Sequence, residues 1–283
     1  MRGVPFFWSL HLLPVLLFNV VILLTVFYFL DLRAYRKDIA EGLKPDISKP
    51  GTEVHIMGLH NLVFLVMIVA AVILSGTLPG MAAFQDAEGA VRGIHLFGEV
   101  TLTYPALIEV VIILAAAFLS FKTTSPEIRR KNHFTWGAIH EVAILFVGIF
   151  ITMQPALMIL KANGASLGLT KPFEMFWATG CLSSFLDNTP TYLVFLTTAG
   201  ALGFTEGMPT ILGTVPVAML EAISCGAVFM GANTYIGNAP NFMVKSIAEQ
   251  DGIKMPSFFG YMVWSNAILI PVFIIDTLVF FLG

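Results

Sequence analysis

The sequence predicts an all-α integral membrane protein built from spanning helices, one re-entrant helical hairpin and one discontinuous transmembrane helix. Two observations lead there. The 283 residues are 57% hydrophobic and only 12% charged, with a mean hydropathy of +0.85, whereas a soluble domain carries about twice that share of charge. Within this apolar background stand two polar interruptions, Ser183-Ser184-Phe185-Leu186-Asp187-Asn188-Thr189-Pro190-Thr191 and Gly231-Ala232-Asn233-Thr234-Tyr235-Ile236-Gly237-Asn238-Ala239-Pro240-Asn241. An unpaired backbone group costs several kcal/mol in hydrocarbon, so a helix broken at membrane depth survives only when packed in protein or lining a wet cavity. Two such breaks close together in sequence mark a site of the kind that secondary transporters build from half-helices.

Residues 5–30 form the first span, interrupted only by His11, Pro14 and Asn19. It exceeds the signal-peptide core of roughly 7 to 15 residues, and no small-residue cleavage site follows. Residues 31–53 carry Arg33, Arg36, Lys37, Lys44 and Lys49 with Pro45, Pro50 and Gly51, and read as a basic polar loop. Further spans are expected at 55–74, 96–121 and 134–160, separated by the Gly- and Pro-containing loop 75–93 and the basic loop 122–133. Loops one and three are rich in Lys and Arg and loops two and four are poor, so the positive-inside rule places the N-terminus outside.

Residues 172–202 are apolar on both sides of Asp187-Asn188-Thr189-Pro190. Each arm, roughly 14 residues, reaches about 21 Å at 1.5 Å per residue, short of a ~30 Å hydrocarbon core. That length favours a re-entrant hairpin turning at Asn188 to Pro190; a single kinked span is the alternative. A helix over 209–230 then meets the second interruption, 242–249 continues as a half-helix so that 209–249 is one broken helix, and the last span, 258–282, carries Asp276.

The chemistry sits at the breaks. Ser183, Ser184, Asn188, Thr189, Asn233, Thr234, Asn238 and Asn241 offer hard oxygen donors that can replace the hydration shell of a cation, although such residues also cap half-helices and bridge neighbours. Asp187 is the sharpest of them, since a carboxylate inside a membrane segment is costly and by default an ion or proton site; its plain alternative is an N-cap. Glu221 and Glu141, the latter beside His140, are candidates for a proton relay, and Glu109 is a further acid. Glu99 and Glu174 fall at span ends, where an interfacial position suffices, and His55 and His60 are five apart, off the spacing of a helical metal pair. Cys181 and Cys225 have no metal or redox spacing and read as small core residues. There is no nucleophile elbow, phosphate-binding glycine loop or metalloprotease motif, which argues against an enzyme, and no basic patch with interleaved aromatics, which argues against nucleic acid.

The stretch from Ser184 to Thr191, and still more Gly231 to Asn241 followed by Phe242-Met243-Val244-Lys245-Ser246-Ile247-Ala248-Glu249, resembles the C-terminal repeat of NhaD-type sodium:proton antiporters. These belong to the ion transporter superfamily, alongside arsenite pumps, citrate transporters and dicarboxylate/sodium symporters. The resemblance implies two inverted repeats, each with a re-entrant hairpin and a discontinuous helix. Ser184, Asp187, Asn188 and Thr189 would lie on the hairpin turn, and Asn233, Thr234, Gly237 and Asn238 on the unwound helix. Sodium would bind at these residues, with sodium and protons as transported species, no further cofactor, and a multi-pass location in a bacterial inner membrane. This chain shows one hairpin and one broken helix where members have two of each, so it resembles a C-terminal half: residues 1–54 a linking helix and basic cytoplasmic loop, residues 55–283 the repeat. A missing first repeat, a partner chain or a second copy would complete it. The expected function is sodium/proton antiport. The alternatives are a citrate or dicarboxylate carrier, in which Asn188, Thr189, Asn233 and Thr234 bind carboxylates, and a non-transporting membrane subunit.

Overall fold

The computed structural model describes residues 4–42, 57–86, 90–97, 100–132, 162–250 and 252–282, with scattered positions between 134 and 159. The chain forms two units, one built on residues 43–140 and the other on residues 9–42 together with 141–283. The span expected at 134–160 falls largely outside the described residues, and Glu141 and His55 fall outside them entirely.

In the first unit, α2 (Asn61–Thr77) lies against α3 (Tyr104–Thr123). Both are apolar all round rather than along one stripe, as in helices that face lipid as well as protein, and Val66, Val111 and Leu114 point outward. One end of the pair is tied by Asn61, which donates to Thr124 Oγ1 (2.9 Å) and accepts from Ser120 Oγ (2.6 Å). Such interhelical bonds between small polar residues hold membrane helices together. An antiparallel ribbon of β1 (Gly93–Phe97) and β2 (Val100–Thr103) runs into α3. The span expected from residue 96 therefore starts only at Tyr104, with Pro105 in the first turn where its missing N–H is harmless. The basic loop 122–133 contains a short helix, α4 (Pro126–Lys131); from it Arg129 donates to Phe121 O (2.9 Å) and Thr124 O (3.1 Å), satisfying carbonyls at the end of α3.

In the second unit, α1 (Leu13–Ala40) continues through residues 31–40, expected as loop. After Pro14 in its first turn no Gly or Pro interrupts it before Gly42, which ends it at φ 79°. Arg33, Arg36 and Lys37 thus stand on a helix. Two shorter helices, α5 (Pro172–Ser183) and α6 (Asn188–Gly200), are joined by residues 184–187. The turn lies before Asn188 rather than at Asn188 to Pro190, because Asp187 caps α6 and accepts from the Thr189 amide (3.2 Å). Pro190 then falls in the first turn of a helix, a position it tolerates.

Where a helix was expected from residue 209, the chain forms a second ribbon, β3 (Met208–Thr210) and β4 (Gly213–Val215). Gly213, at φ 126°, supplies the backbone conformation its turn needs. The helix α7 (Val217–Phe229) follows, then a 3-10 turn Met230–Asn233, then non-helical backbone up to α8 (Ala239–Gln250), so the second break is present. The last span is α9 (Phe258–Asp276) closed by a π turn, Thr277–Phe281. The fold is mostly helical, consistent with an all-α membrane protein, with two small two-stranded ribbons among the described residues.

The core of this unit gathers Val15, Phe176, Ala222, Cys225, Met230, Phe273 and Phe281 from α1, α5, α7, α9 and the turns that follow α7 and α9. α5 and α7 run alongside each other closely enough that a Cβ on Gly226 would lie 2.5 Å from Phe176 O, and one on Gly180 would strike Met230. Small residues at such crossings let membrane helices approach. Cys225 is core as expected, but Cys181 faces outward from α5. Among the described residues, four helical stretches, Phe7–Ala40, Asn61–Gly80, Tyr104–Thr123 and Phe258–Phe281, are long and apolar enough to cross a membrane. Exposed apolar surface on such helices is what a lipid solvent allows.

Candidate functional site

The end of α5 docks on the break after α7. Ser183 Oγ donates to Ala227 O on α7. Ser184 Oγ lies 3.0 Å from both Gly180 O and Met230 O and accepts from Asn233 Nδ2 at 3.0 Å. Thr234 Oγ1 donates to Ser184 O and accepts from the Gly237 amide at 2.9 Å. The Asn188 side chain, assigned with its nitrogen toward the acceptors, reaches Ala227 O (2.8 Å), Ser183 Oγ (3.1 Å) and Gly237 O (3.1 Å). One polar network therefore joins the turn, the first residue of α6 and the unwound segment.

Two glycines make this contact possible. A Cβ on Gly237 would lie 2.7 Å from both Gly231 O and Ser183 O and 2.8 Å from Ser184 O; one on Gly231 would lie 2.9 Å from Gly237 O and strike the Asn188 amide. Backbone meets backbone only because neither residue has a side chain. Carbonyls freed by the break are satisfied from elsewhere, as the absence of water in a bilayer core requires. Asn241 Nδ2 donates to Thr234 O (3.0 Å) and Gly231 O (3.2 Å), and α9 contributes Ser265 Oγ to Asn233 O (2.6 Å) and the Tyr261 hydroxyl to Ala232 O (2.9 Å). Tyr235 stacks on Tyr261 with ring centroids 4.1 Å apart and also receives Lys245 Nζ over its face.

Of the residues singled out from the sequence, Ser184, Asn188, Asn233 and Thr234 come together in this network. Asp187 and Thr189 stand at its rim: the carboxylate is half-buried and engaged as the cap of α6, and Thr189 is exposed. Asn238 contributes its carbonyl, which accepts from the Asn241 amide at 3.0 Å. Glu221 lies three helical turns before Asn233, about 18 Å along the axis, and is not part of the network. Glu109 belongs to the other unit. Glu174 caps α5, its carboxylate accepting from the Thr170 (2.9 Å) and Lys171 (3.0 Å) amides, which hold it below the ordinary value of 4.5. Ser265 and Tyr261 were missed in the sequence because nothing local distinguishes them from other polar residues in a spanning helix.

Three buried polar atoms, Thr179 Oγ1, Thr191 Oγ1 and Asn233 Oδ1, have no hydrogen-bond partner among the described residues. Asn233 Oδ1 belongs to the network itself, and Thr191 lies one turn beyond Asn188 on α6. Among the described residues no three His, Cys, Asp or Glu side chains gather as a metal centre. What the junction presents is hydroxyl, amide and carbonyl oxygen, a donor set suited to a hard cation.

A family model described as "Putative citrate transport" matches residues 1–281. No curated protein and no solved structure matches the chain.

Proposed function

The chain belongs to that family, and we propose that it works as a secondary transporter carrying a small carboxylate of the citrate class together with a cation. The observation that carries this reading is Asn233 Oδ1, buried at the junction of turn and broken helix without a partner. An acceptor left so costs about 1–3 kcal/mol, and a passing cation or hydroxyl supplies what it lacks. The helices α6 and α8 both begin at this junction, Asn188 reaching Gly237 two residues before Ala239. Helix N-termini attract carboxylates. Asp187 at the rim repels the same anion unless a cation neutralises it, which makes the anion's binding depend on the cation. In this reading α5 and α6 are the arms of a re-entrant hairpin entering from the outer face, and α7 and α8 are the halves of a broken spanning helix.

A second reading, sodium/proton antiport, is favoured by Asp187: a half-buried carboxylate beside hydroxyl and amide oxygens can hold Na⁺ and H⁺ in turn. The protein purified from its own membrane and reconstituted in vesicles separates them. Labelled citrate uptake that rises with an inward Na⁺ or H⁺ gradient supports the first; Na⁺-driven acid movement with no citrate uptake supports the second. Neither activity, with a first repeat or partner chain restoring one of them, identifies the chain as a subunit.

A further inference from the structure

We propose that Asp276 forms a second ion site, for a proton, remote from the turn and coupled to the hairpin arm α5. The Asp276 side chain is fully buried at the end of α9, and Asn19 on α1 is 5% exposed. Asn19 Nδ2 lies 2.9 and 3.0 Å from the two carboxylate oxygens and 2.9 Å from Val15 O. Among the described residues the ion pairs are Lys37–Glu41, Lys131–Glu127 and Lys245–Glu249, so no cation faces Asp276. A carboxylate withdrawn from water against a single neutral amide is costly. A proton removes that cost. A metal cation does not fit as well, because the oxygens that the described contacts place here are the two carboxylate oxygens, the Asn19 amide oxygen and a Val15 carbonyl already bonded to Asn19, fewer than the roughly six or more that a hard cation takes.

Its position ties the site to the transport machinery. The backbone passes from α-helix to a π turn directly after Asp276, a local irregularity that often marks functional positions. Helix α5 rests on both sides of this point: Phe176 packs on Phe273 and Phe281, with centroids 6.0 and 4.8 Å away, and Trp177 Nε1 donates to Thr277 Oγ1 at 3.0 Å. Ser265, which holds the broken helix, is eleven residues earlier on α9, about 16 Å along the axis. Asp276 is therefore a separate site that touches the same arm. The titratable groups on the surrounding elements are Cys225 on α7, within electrostatic reach of Asp276, and Glu221 beyond it; His11, which acts on Glu221, just before α1; and Glu174 and Cys181 on α5. Farther along α1, Asp31, Arg33, Arg36, Lys37 and Asp38 lie at least twelve residues from Asn19. When Asp276 loses its proton, the charge draws in water or a donor and loosens the packing of Phe176 and Trp177. Release of a proton thus frees the arm, and uptake locks it. The site stands whether the carried solute is a carboxylate or a sodium ion.

The test is infrared difference spectroscopy on the full protein in lipid nanodiscs, stepped through pH, with tryptophan emission followed in parallel. The wild type is expected to show a buried protonated-carboxyl band that titrates, and Asp276→Asn, which keeps the shape of the neutral acid, to lose it. In Asn19→Leu the charged form loses its donor, so the band persists to more alkaline pH by about one to two units. The Trp177 contribution, identified as the part removed by Trp177→Phe, changes over the same pH range in the wild type and not in Asp276→Asn. A carboxyl band unaltered by Asp276→Asn, or one that never titrates, overturns the proton site. An Asn19→Leu midpoint equal to that of the wild type overturns the pairing, and Trp177 emission independent of pH overturns the coupling. None of these readings uses solute uptake, so a failed uptake experiment leaves them unaffected.

Discussion

Replacing Gly237 by Ala tests the docking of the turn on the broken helix. The added methyl would meet three backbone carbonyl oxygens at 2.7, 2.7 and 2.8 Å, where ordinary contact begins near 3.4 Å. Backbone oxygens cannot swing aside as the end of a flexible side chain can, so each must retreat by about 0.6–0.7 Å, and overpacking of that kind costs about 1–3 kcal/mol. The same shift stretches the 2.9 Å bond from the Gly237 amide to Thr234 Oγ1, which adds about 1 kcal/mol. A total of about 2–4 kcal/mol corresponds to a fall of about 3–7 °C in the melting temperature of a chain of this size. The measurement is a thermal melt of the purified protein in detergent, paired with solute uptake in vesicles. Gly80→Ala is the control, since no heavy atom lies within 4 Å of a Cβ there. If Gly237→Ala melts within about 1 °C of the wild type, on the scale that relates melting shifts to free energy, and transports normally, the close backbone contact is not what joins turn and break.

Three further outcomes are expected. Ser184→Ala removes the hydroxyl that accepts from Asn233 and strands a buried amide, so melts should report a loss of about 1–3 kcal/mol, with weaker solute binding. Asp187→Asn keeps a good N-cap and should leave stability within a few tenths of a kcal/mol, whereas Asp187→Ala should cost about 1 kcal/mol; both should abolish the cation dependence of uptake, and uptake with unchanged cation dependence would remove Asp187 from the mechanism. Glu174 titrates lower in the folded chain than its ordinary value of 4.5, because two amides hold the anion. Its stabilising contribution is therefore complete above pH 4.5 and disappears as the pH falls through the depressed folded value. Melts taken across that acid range should flatten in Glu174→Gln; an unchanged acid limb would show that the cap contributes nothing.

Much of the architecture follows from composition and order alone. A chain with this little charge must face lipid, and the last span emerges where its apolar run predicts, Phe258–Phe281. Gly231 to Asn241 breaks a helix because Gly, Asn and Pro stand where hydrocarbon demands unbroken hydrogen bonding, and the break is there, from Met230 to Ala239. Local capping chemistry displaced the turn: Asp187 could be seen as a cap or an ion ligand, and engagement with the Thr189 amide moves the start of α6 to Asn188. Near residues 93–103 and 208–215 apolar composition concealed short ribbons, since hydropathy reports the surrounding solvent and not the backbone conformation.

What the sequence determined by itself is the solvent of the chain and the places where its helices must fail. What only the tertiary structure decided is which failures meet. Ser184 and Asn233 are 49 residues apart, and Asn19 and Asp276 are 257 apart; each is an ordinary polar residue until its partner is known. Gly180 and Gly226 look alike in sequence to Gly148, yet the first two lie where helices nearly touch and a Cβ on the third would meet open space. The physical reason is that composition sets the cost of exposing a group, while packing alone supplies the partner that removes it.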